Sequence, residues 1–358
     1  MDYSRESSQE AAFTPEDLAR MKVKPDGSRR IVLSYISIGE AESYRYYWTE
    51  RGWNKKSNRP KWIGAENPEW KGNYTVKFWE DGWQNIILND DDSYLNRIMK
   101  AGFDGVYLDK IDIAYDLEGR SPKGTDAIDL MIDFVINLSE TMKAKNPNFL
   151  IFPQNAEGLL SNAEYRRAVD GIGKEDLLYR EDEIGGRYVD GQANPPNEVD
   201  ESVGLLKQLQ ADGRTILVVE YLHSSSEIKA AAKRHAGWGF ITYFGPRDLG
   251  RLVPISEQPV ISAAAQQKPA QVAATCSGLA EDACTEDKGC TWLPGYEASP
   301  GTEIPGQCRD KPRSVAPRHR ATPTSAAGAQ SKPLSSRLKG LRMRGSDERG
   351  EPKPDDGE

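Results

Sequence analysis

Cysteine is absent before Cys276, and histidine occurs only three times in the 358 residues, at His223, His235 and His319. The sequence has no His-x-His or His-Glu-x-x-His pattern, which argues against a metal hydrolase. It has no Gly-x-Ser-x-Gly elbow, and the long cysteine-free region gives no thiol nucleophile, so acyl-enzyme chemistry is disfavoured. We therefore expect neither a metal nor a cofactor in the reaction.

Three further absences restrict the partners of the protein. No Gly-rich phosphate fingerprint follows a predicted strand, which counts against nucleotide binding. No run of about 18 apolar residues occurs, so no membrane span is expected. The first residues lack the charged and apolar layout of a signal peptide. The formal net charge of −8 makes nucleic acid an unexpected partner.

Composition divides the chain into four predicted segments. Residues 1–255 form the main domain, 256–275 an Ala/Gln/Pro linker, 276–310 a module with all four cysteines, and 311–358 a disordered tail. The cysteines are spaced C-x7-C-x5-C-x17-C, without the close pairs of a zinc site. An even number in a short, loop-rich segment predicts two disulfides and an oxidising compartment.

Within the main domain, short apolar runs alternate with amphipathic helical segments about seven times, which predicts a parallel sheet covered by helices. One of these runs is the strand predicted at 76–79. Because several strands end in acids, a closed (β/α)8 TIM-type barrel with all carboxyl ends at one mouth is favoured. An open doubly wound sheet is the alternative.

The segment 44–83 is unusually rich in tryptophan and tyrosine. Its aromatic residues are interleaved with Gly, Pro, Asn and Lys, which is typical of a loop surface. Aromatic rings in such a loop are suited to stacking on sugar rings, whose axial C–H groups are apolar. We expect this segment to contribute to carbohydrate binding.

The short apolar run 106–108 is typical of a buried parallel strand and ends at Asp109, with Asp112 three residues further on. Other polar groups at or near predicted strand ends are Asp2, Glu40, Asn155, Glu157, Glu175, Glu220 and Tyr243. So many carboxylates on one rim, together with aromatic groups, point to glycoside hydrolysis by a pair of carboxyl groups.

Several ordered motifs resemble glycoside hydrolase family 114, the endo-α-1,4-polygalactosaminidases and their relatives. They are YISIGEAE (35–42) followed by YR (44–45), GFDGVYLD (102–109) and PQNAE (153–157). The resemblance runs from about residue 1 to 250. It implies a (β/α)8 barrel that cleaves α-1,4-linked galactosamine polymers with retention. It also implies Asp109 as the nucleophile and Glu175 as the acid/base.

The residues alone do not select Glu175 over Glu220 as the acid/base. The remaining groups expected to bind substrate are Asp2, Glu40, Arg45, Asp112, Asn155, Glu157, Glu220 and Tyr243. Acids at the mouth attract ammonium groups, so the expected partner is a cationic galactosamine-type polysaccharide. For Arg45 the alternative is a purely structural pairing with one of these acids.

Members of the resembled family have a complete first strand that ends in an Asp-Tyr-Ser-like tripeptide, whereas here Asp2, Tyr3 and Ser4 follow Met1 directly. We therefore expect a missing or truncated first barrel strand, and a native chain that begins earlier with an export signal. The expected protein is a secreted or cell-surface monomer. Two alternatives remain: a non-catalytic carbohydrate-binding relative, and a surface protein held by its basic tail.

Overall fold

The computed structural model describes residues 1–6, 11–184, 187–247, 249, 251–259, 280–286, 290–293, 296–299, 302–304 and 307–310. These residues fall into two compact units, which divide between Gln266 and Gln267. The strands are β1 (Leu33–Ser37), β2 (Glu40–Glu42), β3 (Ile63–Glu66), β4 (Asn73–Val76), β5 (Gly105–Asp109), β6 (Leu150–Pro153), β7 (Gly171–Glu175), β8 (Tyr179–Ile184), β9 (Arg187–Ala193), β10 (Thr215–Glu220), β11 (Ile241–Phe244), β12 (Cys290–Leu293), β13 (Tyr296–Ser299), β14 (Thr302–Ile304) and β15 (Gln307–Asp310).

The α-helices are α1 (Pro15–Met21), α2 (Tyr46–Glu50), α3 (Asp81–Gln84), α4 (Tyr94–Ala101), α5 (Ile113–Asp116), α6 (Ala127–Lys145), α7 (Ala163–Ala168), α8 (Pro196–Ala211), α9 (Ser225–Trp238) and α10 (Glu281–Glu286). A π-helical segment, Asn85–Asn89, continues α3, and a 3-10 turn, Glu157–Ser161, follows β6. Local sequence explains the longest helix, α6. The Asp126 side chain caps its first turn by accepting from the Ile128 amide, and two lysines lie in its last turn.

Six strands of the first unit form a parallel arrangement within the described residues. Strands β1, β5 and β6 pair in that order, as do β7, β10 and β11. The two groups meet where the Asn155 amide donates to the Gly173 carbonyl at 2.7 Å, beside a parallel bridge between Gln154 and Gly173. On the outer edge of β1, the Tyr35 amide donates to the Met1 carbonyl at 2.7 Å.

The expected parallel α/β fold is confirmed, but a closed barrel is not seen. In the part of the chain that the structure describes, no backbone hydrogen bond joins β11 to the edge at Met1. The strand predicted at 76–79 is also wrong as a member of the parallel sheet. Of the predicted range, only Val76 lies in a strand. It is the last residue of β4, which pairs with β2 and β3 in a separate antiparallel sheet.

Side chains alternate between the two faces of each parallel strand. One face is covered by helices, and Val106, Leu108, Ile172 and Val218 are fully buried there. Ile128, Met131 and Val135 of α6 belong to the same apolar core. The helix-covered face is thus the structural core, and the other face is free to carry the chemistry.

The aromatic segment 44–83 is mostly core, so its interpretation as a loop surface is wrong for most of its residues. Trp48 and Trp83 are fully buried, and the Tyr47 ring meets Trp83 edge-on with centroids 5.7 Å apart. The aromatic residues pack on one another around the antiparallel sheet, which removes them from water despite the polar residues between them. Among the aromatic residues of this segment, only Tyr44 and Trp70 are exposed.

In the second unit, β12 pairs with β15 and β13 with β14, both antiparallel. A disulfide joins Cys284 to Cys308. Cys276, residues 260–275 of the predicted linker, and the tail predicted at 311–358 lie outside the described residues. None of the helices described is both long and apolar enough to cross a bilayer.

Candidate active site

Asp109 and Glu175 are the last residues of two parallel strands, β5 and β7, with β6 between them. The register pairs Leu108 with Pro153, so Gln154 lies opposite Asp109, and Gln154 in turn bridges to Gly173. Residues paired across parallel strands share a face, and residues two apart on one strand do too. The two carboxyl groups therefore lie on one face, at one end of the sheet.

Tyr107 lies on that face beneath the two carboxyl groups. A Cβ atom placed on Gly173 would be 2.0 Å from the Tyr107 hydroxyl oxygen, so the ring occupies the space that a side chain on β7 would need. Burial raises the pKa of Tyr107 well above its ordinary value, and the nearby charges of Glu175 and Asp109 raise it further. Its hydroxyl therefore keeps its proton near the two acids.

Asp109 is held by two hydrogen bonds. The Tyr35 hydroxyl donates to its Oδ2 at 2.6 Å, and the Lys110 amide donates to its Oδ1 at 2.7 Å. Burial raises the pKa of Asp109 to about 7, although the Tyr35 hydrogen bond opposes the rise and the Asp112 carboxylate adds to it. Asp109 therefore changes its charge near neutral pH, as groups in active sites often do.

Glu175 is held from both sides. The side-chain amides of Gln154 and Asn155 donate to its Oε2, that of Asn155 at 3.2 Å. The Tyr221 hydroxyl donates to its Oε1, and the Glu175 amide donates to Asn155 Oδ1 at 2.9 Å. Asn155 has a left-handed backbone with φ of 55°. Strain of this kind persists where the surroundings hold it, and it clusters at functional sites.

Lys110 carries the positive charge closest in sequence to Asp109. Its ammonium group lies 3.8 Å from Glu40, whose Oε1 also accepts from the Asn67 amide at 2.9 Å. Burial alone would lower the pKa of Lys110, but the carboxylates of Asp112, Glu40 and Asp109 together raise it. Asp112 is partly exposed beside this group, at the start of α5. The structure thus brings Glu40 and Asp112 close to Asp109.

Arg45 is buried in an ion-pair cluster with two other acids. Its guanidinium makes two hydrogen bonds to Asp2, at 2.7 and 2.8 Å, and its Nε donates to Glu42 Oε2 at 2.7 Å. The Tyr44 hydroxyl donates to the other oxygen of Glu42. Arg45 and Glu42 are both buried, whereas the Asp2 side chain is 31% exposed. This arrangement supports the structural alternative for Arg45 over direct substrate contact.

Replacing Arg45 by leucine is expected to lower the free energy of unfolding by about 3–5 kcal/mol, because Glu42 would remain buried and charged without its partner. Urea unfolding followed by circular dichroism would measure the change. The control is Arg51→Leu, which removes an exposed pair with Asp90 and should cost less than about 0.5 kcal/mol. Equal costs for the two variants would contradict the structural assignment.

Glu157 and Glu220 lie on the helix-covered side, away from Asp109 and Glu175. Glu157 accepts from Ser202 of α8 at 2.6 Å and lies 3.4 Å from the buried Lys174. Glu220 is fully buried, accepts from the amides of Leu178 and Tyr179, and lies 3.2 Å from His235 of α9. Both have the surroundings of structural groups. Glu220 is on the wrong side of β10 for an acid/base, because Val219 pairs with Glu175.

Tyr243 shares the face of Glu175, since Val219 pairs with both residues. Its hydroxyl accepts from the Val253 amide at 2.8 Å, which fixes the ring at the side of the site. Residues missed by the sequence reasoning are Tyr35, Tyr107, Lys110, Gln154 and Tyr221. Each lies within two residues of a predicted site or motif residue in sequence, and that adjacency was the available signal.

In the part of the chain that the structure describes, no group of three or more His, Cys, Asp or Glu residues is placed to hold a metal ion. Asp109 and Glu175 bring two carboxyl groups to one end of the sheet. The backbones that carry them lie two strand spacings apart, about 10 Å. Both side chains extend over the same end of the sheet. Such a pair, flanked by hydroxyl and amide donors, is suited to acid, base or nucleophilic roles toward a bound acetal.

Comparison with known proteins finds similar sequences in other organisms. The chain is 36% identical over 242 residues to the uncharacterized protein MJ1477 of Methanocaldococcus jannaschii, covering 65% of this chain and 63% of that protein. It is also 36% identical over 243 residues to an uncharacterized protein of Deinococcus radiodurans, covering 67% of this chain and 71% of the other. The chain thus spans somewhat less than two thirds of the length of the first of these relatives.

Among solved structures, the fold is similar to the glycoside hydrolase domain of PelA from Pseudomonas aeruginosa. The TM-score is 0.51 at 19% sequence identity, over 68% of this chain and 87% of that domain. At this identity the likeness concerns the fold alone. The family model of glycoside-hydrolase family GH114 matches residues 12–261, which is well over half of the chain. The chain therefore belongs to glycoside-hydrolase family GH114.

Proposed function

We propose that the protein is a retaining endo-glycosidase that hydrolyses α-1,4-linked galactosamine-containing polysaccharide. The observation that carries the proposal is the placement of Asp109 and Glu175 on one face at the carboxyl ends of parallel strands, with Tyr107 beneath them. Membership of family GH114 supports the reaction class.

In the proposed reaction, the Asp109 carboxylate attacks the anomeric carbon while Glu175 gives its proton to the departing glycosidic oxygen. The C–O bond breaks and a glycosyl ester forms on Asp109. Glu175, now a carboxylate, then takes a proton from water as that water attacks the anomeric carbon. The bond between this carbon and the Asp109 oxygen breaks, which frees the Asp109 carboxylate. Two displacements at one carbon retain its configuration.

The charge around Asp109 supports a cationic substrate. Asp112, Glu40 and Asp109 surround a single described ammonium group, that of Lys110. An ammonium group on a bound galactosamine unit would reduce the repulsion among these acids and favour the ionised form of Asp109. A neutral glycan would offer no such compensation. Substrate charge and nucleophile ionisation are therefore coupled in this proposal.

The direct test is incubation with partly deacetylated α-1,4-galactosaminoglycan. We expect a rise in reducing ends and a rapid fall in mean chain length, which marks endo cleavage. The anomer released first, followed by proton NMR, should have the α configuration of the substrate. Binding of the polymer without any release of reducing ends would instead favour the non-catalytic carbohydrate-binding alternative. Release of the β anomer would exclude the retaining mechanism.

Trp70 is proposed to stack on a sugar unit away from the cleaved bond. It is 61% exposed, and the backbone amides of Trp70 and Glu69 donate to Asn67 Oδ1 at 3.3 and 3.0 Å. The same Asn67 side chain donates to Glu40, which lies beside Lys110. This rigid turn therefore places an exposed aromatic face on the side of the site that leads to Asp109.

Replacing Trp70 by alanine is expected to raise the KM for long polymers about 5- to 10-fold, the loss of roughly one stacking contact. The kcat on a short aryl glycoside should stay unchanged, since such a substrate does not reach Trp70. Steady-state kinetics on a size series measures both, with Trp70→Tyr as the control that keeps a ring. An equal loss on short and long substrates would contradict the stacking role.

The disulfide between Cys284 and Cys308 supports our proposal that the protein works in an oxidising compartment as a secreted or cell-surface enzyme. We further propose that it acts as a monomer. Fractionation of the source cells would test the first proposal, and light scattering on the purified protein the second. Recovery of the protein with reduced thiols in the cytosol would exclude secretion.

A further inference from the structure

The Glu175 carboxyl group is held between two sets of donors on opposite sides. Gln154 and Asn155, which follow β6, donate to Oε2, while Tyr221, which follows β10, donates to Oε1. The two side-chain amides hold only Oε2, so on their own they would let the carboxyl group rotate and carry Oε1 to another position. Because Tyr221 binds the second oxygen, it determines which way the carboxyl group faces the mouth.

Tyr221 is itself held in place by Arg247. The guanidinium carbon of Arg247 lies 4.4 Å above the centre of the Tyr221 ring, a cation–π contact. Tyr221 is 4% exposed, so its ring has little room to change rotamer. The orientation of the hydroxyl group toward Glu175 therefore depends on this stack.

Arg247 also holds the chain immediately after Glu175. Its Nη atoms donate to both oxygens of Asp176, at 2.9 and 3.1 Å. Asp176 has a left-handed backbone with φ of 53°, a conformation that a non-glycine residue keeps only when its surroundings enforce it. Burial raises the pKa of Asp176 to about 6, and the Arg247 charge opposes that rise.

The same arginine reaches the β8–β9 hairpin. Its Nε donates to Asp190 of β9 at 2.6 Å and lies 3.6 Å from Glu181 of β8. One guanidinium group thus joins the turn after Glu175, the Tyr221 ring and the hairpin. Its five donor N–H groups and flat face allow all three contacts at once, which a lysine could not make.

We propose that Tyr221 is the positioning residue for Glu175 and that Arg247 fixes Tyr221, so that both govern proton transfer to the departing sugar oxygen. This inference rests on the proposed function and deepens it. Neither residue contacts the anomeric carbon in this scheme. Their loss should therefore weaken the step in which Glu175 gives up its proton, and leave binding largely intact.

The kinetic test compares Tyr221→Phe, Arg247→Met and the double variant on two substrates. One is the polymer, whose leaving group needs a proton, and the other an aryl galactosaminide with an activated leaving group. We expect kcat on the polymer to fall about 10- to 100-fold for Tyr221→Phe, because the variant loses the hydrogen bond to the carboxylate that forms as Glu175 gives up its proton. The KM for the polymer and the kcat on the activated substrate should each change less than about twofold.

The kcat of the double variant on the polymer should fall no further than that of the worse single variant, because both substitutions act on the Glu175 carboxyl group. The control is Tyr165→Phe on α7, which removes a buried hydroxyl that has no hydrogen-bond partner among the residues the structure describes and should change nothing. Equal losses on both substrates, or a rise in KM alone, would overturn the positioning role. An Arg247→Lys variant should regain only part of the lost kcat on the polymer, because lysine keeps the charge but lacks the flat face that stacks on the Tyr221 ring.

A second measurement separates this inference from the proposed function. In protein carrying ¹³C-carboxyl glutamate, the signal of Glu175 is assigned by its disappearance in Glu175→Gln. It should move in Tyr221→Phe and in Arg247→Met, but not in Tyr165→Phe. If the wild-type protein cleaves no galactosamine glycan, the proposed function fails. The spectrum still tests whether the Tyr221 hydroxyl binds Glu175. A Glu175 signal that ignores Tyr221→Phe would overturn the inference.

Discussion

Replacing Asp109 by asparagine is expected to abolish glycan cleavage and, at the same time, to stabilise the protein above pH 7. The variant keeps an oxygen for the Tyr35 hydroxyl but has no nucleophile, so kcat should fall by about 10⁴-fold or more. The stability gain follows from the cost of ionising a carboxyl group that burial brings to a pKa of about 7.

The contribution of Asp109 to wild-type stability depends on pH, because its folded pKa of about 7 lies above its unfolded value of 3.8. This contribution is fully present below pH 3.8 and is lost as pH rises through about 7. The full shift corresponds to about 4 kcal/mol, and partial exposure and the lost Lys110 contact reduce the expected gain to about 1–3 kcal/mol. At pH 4 the two proteins should be nearly equal.

Urea unfolding at pH 4 and pH 8 measures this difference, with the exposed Asp91→Asn as the control variant. We expect Asp91→Asn to leave both activity and stability unchanged. An Asp109→Asn protein that is less stable than wild type at pH 8 would show that the carboxylate is a stabilising group. Retained cleavage would remove Asp109 from the mechanism.

The role of Asp109 also fixes the direction of the pH profile. A nucleophile must be ionised, so kcat/KM of the wild-type enzyme should rise with pH through about 7, the pKa of Asp109 in the free protein. An acid in the same position would give the opposite slope, with activity lost as pH rises. The profile on an activated aryl glycoside isolates this limb, because proton donation by Glu175 then matters little.

Replacing Glu175 by glutamine is expected to lower kcat on the polymer by about 10²–10⁴-fold, the usual contribution of a general acid. The loss should be much smaller in the first step with an activated leaving group, which departs without a proton. A burst of the released aryl group followed by slow turnover would mark an accumulated glycosyl ester, since the variant lacks the base for the second step.

Glu220→Gln is the informative comparison, because the residues alone left Glu220 open as the acid/base. Glutamine there would point an N–H group at the Leu178 or Tyr179 amide, so we expect a less stable protein. The fraction that folds should keep the wild-type dependence on the leaving group. If instead Glu220→Gln shows the burst and Glu175→Gln does not, the two assignments must be exchanged.

The sequence predicts Asp109 and Glu175 as strand-end acids, but only the resemblance to family 114 singles out Glu175 over Glu220. A short apolar run followed by Asp109, and a weaker one followed by Glu175, mark strand ends, and parallel strands bring such ends to one edge. It could not decide the face of each strand. Glu220 ends β10 just as Glu175 ends β7, yet the register sets Val219 beside Glu175 and buries Glu220 against His235.

Burial of the aromatic segment was hidden for a related reason. Composition shows that tryptophans and polar residues alternate, but not which rings contact one another. Trp48 stacks on Tyr74 with centroids 4.7 Å apart, a contact made possible by the β3–β4 hairpin. The β8–β9 hairpin also gave no clear signal, because β8 carries four consecutive charged residues and β9 has no apolar run longer than two residues. Both features depend on long-range pairing.

The glycines of β7 have a consequence for how this family can vary. A Cβ atom on Gly171 would lie 2.2 Å from the ring of Phe152, one strand away on β6, and one on Gly173 would lie 2.0 Å from the Tyr107 hydroxyl oxygen, two strands away on β5. Each small residue is thus matched to a large one. Such pairs should change together across relatives. Where residue 173 gains a side chain, position 107 should lose its ring, and the hydroxyl between the two acids should be lost with it.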